Sequence, residues 1–411
     1  MGLRRSTLSG NISIYDLHIG NDIRGNLLSL RNSADLLTLK LETKYRKASI
    51  YLLDSGRSAL FLALKILKCE GHEVLVNAYT TDIVHKTIFA AGAKPRPYDI
   101  NPETLEPDLD SIRNEWTDNV SAIVHTGLFG LPCNPSGIRE ESLRRNVPMI
   151  EDSCNSFGTL WHGEQCGLFG DLAIFSFRVG KPLSSGGGVL IINNPRIKKR
   201  SDFELTKVPA VSPVSSFFYF TRILLDYLAF NPFLLRFFTR RLRTYLRNSR
   251  LGRQIVRGGV VDTTSLPNPS KLRRMGIWQA LIALANLEEY ERRVTLRRDV
   301  AKKILKVCQN LPIKFLIEGL EDKWNGLFLP ILLPSDCAEE YVEWMMRAGF
   351  EVTRFHYRVP ELVFSRQIFE RLPGTKLICK RLVCAPCTSQ MNGRISKFYK
   401  AMKLFFMHGH L

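Results

Sequence analysis

From about residue 49 to 194, apolar runs short enough for buried strands alternate with stretches of helical period. Strand-like runs fall at Ile50–Leu53, Glu73–Asn77, Ala122–His125, Val147–Glu151, Leu172–Phe177 and Gly188–Ile192. Helix-like stretches lie between several of them, at Ser58–Leu67, Asp82–Ala91 and Glu140–Arg145. Strands that alternate with helices predict βαβ units and a mainly parallel sheet, with ligands at the carboxyl ends of the strands. Farther on, residues 271–310 read as one long helix, with Ile277, Leu281, Leu284, Leu287 and Tyr290 on its apolar face. Residues 312–411 read as a smaller α/β unit, in which strands at Lys314–Ile317, Gly326–Leu333 and Arg381–Ala385 flank a helix at Ala338–Ala348. The pattern divides the chain into an arm (1–48), a large domain (49–200), an insertion (201–265), a linking helix (266–311) and a small domain (312–411).

Composition changes this picture at one place. The chain of 411 residues is 45% hydrophobic and 24% charged, ordinary for a globular protein and long enough for a core without disulfides. Its net charge of +19 favours anionic partners. Most of that excess sits in residues 196–275, with 17 Lys and Arg against four Asp and Glu, a net +13. This stretch also holds the aromatic run Ser216–Phe238. Arg222, Asp226 and Arg236 interrupt the run and Asn231-Pro232 break it, so two short amphipathic helices followed by a basic tail are expected rather than a membrane span. Three readings of residues 205–260 stay open: a cover over the site or a dimer contact, a docking element for an anionic membrane surface, and a nucleic-acid contact. The last is disfavoured, because no recognised module accompanies it. The nine cysteines, odd in number and with no secretory signal read ahead of them, suggest the cytoplasm, with attachment to the inner face of the membrane left open. Cys384 and Cys387 form a single C-x-x-C, more readily two small buried residues than a metal site.

Three short stretches carry candidate chemistry. Phe175–Gly188 sets Lys181 after a strand and before three glycines, which let backbone approach a ligand closely. Pro148–Asn155 places Asp152 at the end of another strand. There it could contact a ribose, ligate a metal, pair with a cationic heterocycle or simply cap a helix. Leu53–Leu60 runs from strand through a glycine turn into a helix, whose N-terminal amides suit phosphate. Each signal is weak alone.

Taken in order, these stretches resemble the DegT/StrS-like sugar aminotransferases, pyridoxal-phosphate (PLP) enzymes of fold type I. Further matching segments are Glu73–Thr81, Ala90–Pro95, Gly127–Pro132, Gly167–Asp171, Gln279–Leu284 and Arg381–Pro386. The resemblance implies an α/β fold with a large, mainly parallel α/β/α domain that binds PLP and a smaller C-terminal α/β domain. It implies that Lys181 bonds covalently to PLP and then shuttles a proton, and that Asp152 pairs with the pyridine nitrogen. Ser176 and the turn Gly56, Arg57 and Ser58 would hold the phosphate. Arg57 stands where many members carry Thr. Thr81 stands where many stack an aromatic ring, with Tyr79 as a substitute. Asn155 replaces a common Gln near the cofactor's 3′-oxygen, and Gly187 replaces a frequent Glu. The implied protein is a homodimeric, metal-free aminotransferase that moves an amino group from glutamate to a keto-sugar, nucleotide-activated or lipid-linked. Two alternatives remain: a sugar dehydratase, against which Lys181 argues, and a PLP-fold binding protein anchored by its basic insertion.

Overall fold

A computed structural model describes residues 32–221 and 272–407, apart from positions 47, 133, 179, 213 and 219. Most of the basic insertion, including Arg240, Arg241, Arg243, Arg247 and Arg250, therefore lies outside the described residues, as does the arm before residue 32.

The central sheet contains β1 (Ser49–Leu53), β2 (Glu73–Asn77), β3 (Lys94–Tyr98), β4 (Val120–Thr126), β5 (Met149–Asp152), β8 (Leu172–Ser176) and β9 (Gly188–Ile192). A small hairpin, β6 (Leu160–Trp161) and β7 (Glu164–Gln165), falls between β5 and β8. The spatial order is β1-β9-β8-β5-β4-β2-β3. From β8 through β3 every pairing is parallel, and β9 alone runs against its two neighbours. The carboxyl ends of six strands thus gather at one edge, where β9 begins. Burial on both faces explains the apolar centres of β2 and β4 and the wholly apolar β9. The sequence pattern misses β3. Its text, Lys-Pro-Arg-Pro-Tyr, carries two prolines, and proline is tolerated only on an edge strand, which is where β3 lies.

The helix Gly56–Ile66 is buried from Ala59 to Leu64 against the sheet. Its N-cap is Ser55, whose hydroxyl accepts the Ser58 amide at 3.2 Å, a cap worth about 1 kcal/mol. The long helix expected over 271–310 is two helices, Ile277–Glu288 and Tyr290–Cys308, which meet at Glu289. The break has a packing cause. Ala280, Ala283 and Leu284 belong to one large-domain core, whereas Val300, Ala301, Ile304 and Cys308 belong to a second core that the small domain shares with β2, β3 and β4. A change of direction serves both.

The small domain is an antiparallel sheet, β10 (Lys314–Phe315), β11 (Leu329–Leu332) and β12 (Leu382–Ala385), covered by helices Ala338–Arg347, Pro373–Arg381 and Ile395–Met407. One buried carboxylate ties it to the large domain. Asp99, just past β3, accepts the Gly374 amide (2.8 Å), the Thr375 amide (2.7 Å) and the Thr375 hydroxyl (2.7 Å). It therefore caps a small-domain helix from across the domain boundary. Trp324 Nε1 donates to the Phe129 carbonyl at 3.0 Å, a second tie. Among the described residues no helix is long and apolar enough to cross a membrane.

Candidate active site

Three strands converge on one glycine. Gly188 pairs with Leu53 of β1 on one side and with Ser176 of β8 on the other. A Cβ at Gly188 would lie 2.2 Å from the Ser55 carbonyl carbon and 2.3 Å from the Gly56 nitrogen, so only glycine lets the turn into the first helix approach the sheet this closely. A Cβ at Gly56 would in turn lie 2.7 Å from Ser176 Cβ. The result is a helix N-terminus pressed against the carboxyl end of β8.

Beside it opens a cavity of about 180 Å³. Its large-domain wall carries Gly56, Arg57, Thr81, Asp152, Asn155, Ser176 and Lys181, seven residues expected from the sequence. Lys181 Nζ donates to Asn155 Oδ1, and the Asn155 amide nitrogen donates to the Gly127 carbonyl at 3.3 Å, so the lysine is held in place. Burial pushes the Lys181 amine down to about 8. Arg178 adds to the shift, while Cys154 and Asp152 oppose it. Asp152 is 4% exposed, and its Oδ1 accepts the Cys154 amide at 3.2 Å. Burial raises its carboxyl above the usual range, against the Cys154 bond and the positive charge of Lys181. Asp152 caps no helix: a turn follows it, not a helix. Its neighbour Glu151 differs. That carboxylate accepts the Ser153 hydroxyl and the Gly167 and Phe169 amides, so its oxygens are spent on the loop that follows β7.

Two expected site residues do not line the cavity. Ser58 donates its hydroxyl to Asp54 and sits within the helix cap. Tyr79 is fully buried in the core, where its hydroxyl donates to the Phe355 carbonyl at 2.6 Å and its ring meets the edge of His356. Its ring lies behind the lining residues His356 and Phe129 and is not itself part of the cavity surface. A tyrosine at the end of β2 is drawn instead into the domain boundary, where a backbone carbonyl satisfies its hydroxyl. Gly187 does line the cavity. A Cβ there would lie 2.4 Å from Met275 Cε, so the methionine occupies the space beside it.

The far wall was not foreseen. Phe328, Phe355 and His356 come from the small domain, and Thr126, Phe129, Cys154 and Arg178 are among the further large-domain residues that line the cavity. Phe328 and Phe355 stack with centroids 4.6 Å apart. Burial, with the charges of Lys181, Arg178 and His85, pushes His356 down to about 3 and keeps it neutral. The loop is held by the pairing of Thr353 with Cys384 of β12.

The residues present suit PLP. A buried carboxylate, a buried lysine amine and a glycine-lined helix N-terminus beside Ser176 supply partners for a ring nitrogen, an aldehyde carbon and a phosphate. The unpartnered Thr126 hydroxyl and the Asp152 carboxylate at the cavity floor leave polar groups for a ligand to meet.

Asp152 ends β5 and Lys181 lies on the loop after β8, both at the carboxyl edge of a mainly parallel α/β sheet. Residues 35–208 match the model of the DegT/DnrJ/EryC1/StrS aminotransferase family. Among curated proteins, the chain is 34% identical to the GDP-perosamine synthase of Escherichia coli O157:H7 over 145 residues, 35% of this chain and 40% of that protein. It is 31% identical to the dTDP-4-dehydro-2,3,6-trideoxy-D-glucose 4-aminotransferase of Saccharopolyspora spinosa over 154 residues, 37% of this chain and 40% of that protein. The matched segments thus span well under half the length of these relatives. Among solved structures, Helicobacter pylori PseC, an aminotransferase involved in the biosynthesis of pseudoaminic acid, superposes with a TM-score of 0.73 at 14% identity. That match covers 97% of this chain and 100% of PseC, and it shows the shared fold.

Proposed function

We propose that the protein is a PLP-dependent aminotransferase that moves an amino group from glutamate to a keto-sugar. The observation that carries this reading is that one cavity is lined both by a lysine amine that burial pushes down to about 8, on the loop after β8, and by a buried aspartate at the end of β5. When bound, PLP supplies an electron sink for the carbon that loses its proton. Asp152 would hold the ring nitrogen in its protonated form, because a buried carboxylate strongly prefers a cation beside it. Ser176, Gly56, Arg57 and the amides of the helix N-terminus would hold the phosphate, with the helix dipole adding to the guanidinium.

Lys181 is suited to move a proton near neutral pH, since a useful fraction of its amine is uncharged there. Asn155 holds that amine toward the cavity. Phe328 and Phe355 roof the site and keep water from it, and neutral His356 adds no charge to oppose a cationic amine. The large-domain relatives act on nucleotide-linked sugars by their names, which supports a nucleotide-activated acceptor here. The dehydratase alternative loses ground to Lys181 itself. We further read the protein as a homodimer. Exposed Val214, Phe217 and Phe218 lie within the basic insertion, ahead of its arginines in sequence, which supports docking on an anionic membrane surface and access to a lipid-linked acceptor.

Incubation with ¹⁵N-amino-labelled glutamate, PLP and a panel of nucleotide-linked 3- and 4-keto-sugars tests the reading. Label should enter one sugar product by mass. Label in none of them, with PLP bound, would remove the keto-sugar assignment.

A further inference from the structure

The Lys181 amine donates to Asn155 Oδ1, and Asn155 is itself held at two points. Its side-chain nitrogen donates to the Gly127 carbonyl at 3.3 Å. Its backbone carbonyl accepts the side-chain nitrogen of Asn325 at 2.7 Å. Asn325 lies on the small-domain loop that enters β11, 170 positions farther along the chain. The same nitrogen donates to the Phe157 carbonyl at 3.1 Å, so one amide spans the turn 155–157. A lysine amine beside one Asn oxygen and carbonyls beside both Asn nitrogens leave each amide a single orientation.

Asn325 is 2% exposed and uses its remaining polar groups as well. Its Oδ1 accepts the Leu327 amide at 3.0 Å, and its own backbone amide donates to the Gly130 carbonyl at 3.3 Å. A Cβ at Gly130 would lie 1.8 Å from Asn325 Oδ1, so the segment after β4 admits this side chain only because residue 130 is glycine. Asn325 does not line the cavity, but Phe328, three residues on, does. The Phe157 carbonyl also accepts the Tyr290 hydroxyl. Among the described residues the Asn155 carbonyl is therefore the one that Asn325 alone satisfies.

We propose that Asn325 is a positioning residue for Lys181, fixing the turn 155–157 so that the Asn155 side chain holds the lysine amine toward the cavity. Without it a buried carbonyl loses its donor, and the turn gains by rotating that carbonyl toward another. The Asn155 side chain turns with it. The small domain thus reaches the lysine from behind as well as roofing the site. The inference rests on the aminotransferase reading above and adds a residue that acts only through another.

The test follows how fast the protein freed of PLP bonds added PLP, read from the growth of visible absorbance. Wild type is compared with Asn325→Ala, Asn155→Ala and the double variant. Asn325→Ala should slow bonding about 10-fold and lower kcat by a similar factor, with the KM for glutamate within about twofold of wild type. Because Asn325 acts through Asn155, the double variant should be no slower than Asn155→Ala. Asp99→Ala, which loosens a different tie between the domains, should bond PLP at the wild-type rate. Should a thermal melt show Asn325→Ala unfolded, Asn325→Asp replaces it, keeping the shape and the acceptor for Leu327 while setting an oxygen against the two carbonyls. A wild-type bonding rate in the folded Asn325 variant would overturn the assignment. So would losses that simply add in the double variant, or equal slowing in Asp99→Ala. A wild type that bonds PLP but transfers no amino group would overturn the aminotransferase reading and leave these rates to decide Asn325. A wild type that takes up no PLP would overturn both.

Discussion

Two walls face each other across the cavity, and they are built differently. The large-domain wall is made at strand ends. Asp152 closes β5, Ser176 closes β8, and Gly188 opens β9 against the first helix, so backbone pairing fixes all three. The small-domain wall is made of side chains carried on loops. Phe328, Phe355 and His356 reach the cavity because Asp99 caps the helix Pro373–Arg381, which feeds β12, and Thr353 pairs with Cys384 of that strand. The difference separates chemistry from enclosure. Asp152, Ser176 and Gly188 are fixed by backbone pairing in the sheet, whereas Phe328, Phe355 and His356 are placed by side-chain packing and hydrogen bonds on a small domain that shares an apolar core with β2, β3 and β4.

Three substitutions would break or sharpen this contrast, taken from the largest expected effect. Asp152→Ala removes the buried anion of the fixed wall, and the glutamate half-reaction should slow on the order of 10²–10³-fold. Stopped-flow absorbance with excess PLP would check it. Asp99→Ala acts on the other wall from a distance. It leaves the Gly374 amide, the Thr375 amide and the Thr375 hydroxyl without their acceptor and should cost about 3 kcal/mol, read from a urea melt. If the contrast holds, this variant should also raise the substrate KM while PLP affinity changes little.

Lys181→Met is the third, and it should stabilise the protein without PLP. The folded state lowers the Lys181 amine to about 8 from an ordinary 10.5, with Cys154, Asp152, Arg178 and His356 as the titratable or charged neighbours. Below pH 8 the amine is charged both folded and unfolded, and the fold bears the full cost of burying that charge. As pH rises from about 8 to 10.5, only the unfolded chain still binds the proton, so wild-type stability recovers. The gain from Lys181→Met should therefore be about 2 kcal/mol at pH 7, allowing for some cavity-facing surface on the lysine, and should fade across that window. Thermal melts at pH 7 and pH 10 decide it. An equal gain at both would mean that the lysine is not held in a desolvated place.

The same contrast explains what could be read from the sequence. The large-domain wall was legible because its chemistry is local. A glycine turn after a strand, an acid at a strand end and a lysine before three glycines are each contiguous text, and their order carried the family resemblance. The strands of the sheet were legible for a related reason, since burial on both faces gives them apolar centres. β3 was missed because two prolines mask an edge strand, and the bend at Glu289 because one apolar stripe passes between two cores. Tyr79 was placed in the site by analogy, yet its hydroxyl is satisfied by Phe355 in the domain boundary. The small-domain wall was illegible because Phe328, Phe355 and His356 form no motif. They are isolated residues about 150 or more positions from Lys181, brought to it only by domain packing.

The central claim is that Lys181 and Asp152 make a PLP site competent for amino transfer. The most direct measurement is the visible absorbance of the purified protein with PLP, before and after glutamate, with Lys181→Ala alongside. The account predicts a PLP band in the wild type that glutamate converts to the spectrum of the pyridoxamine form, and a Lys181→Ala protein that is not converted on the same timescale. A wild type that shows no band in excess PLP, or a band that glutamate converts equally fast without Lys181, would contradict it.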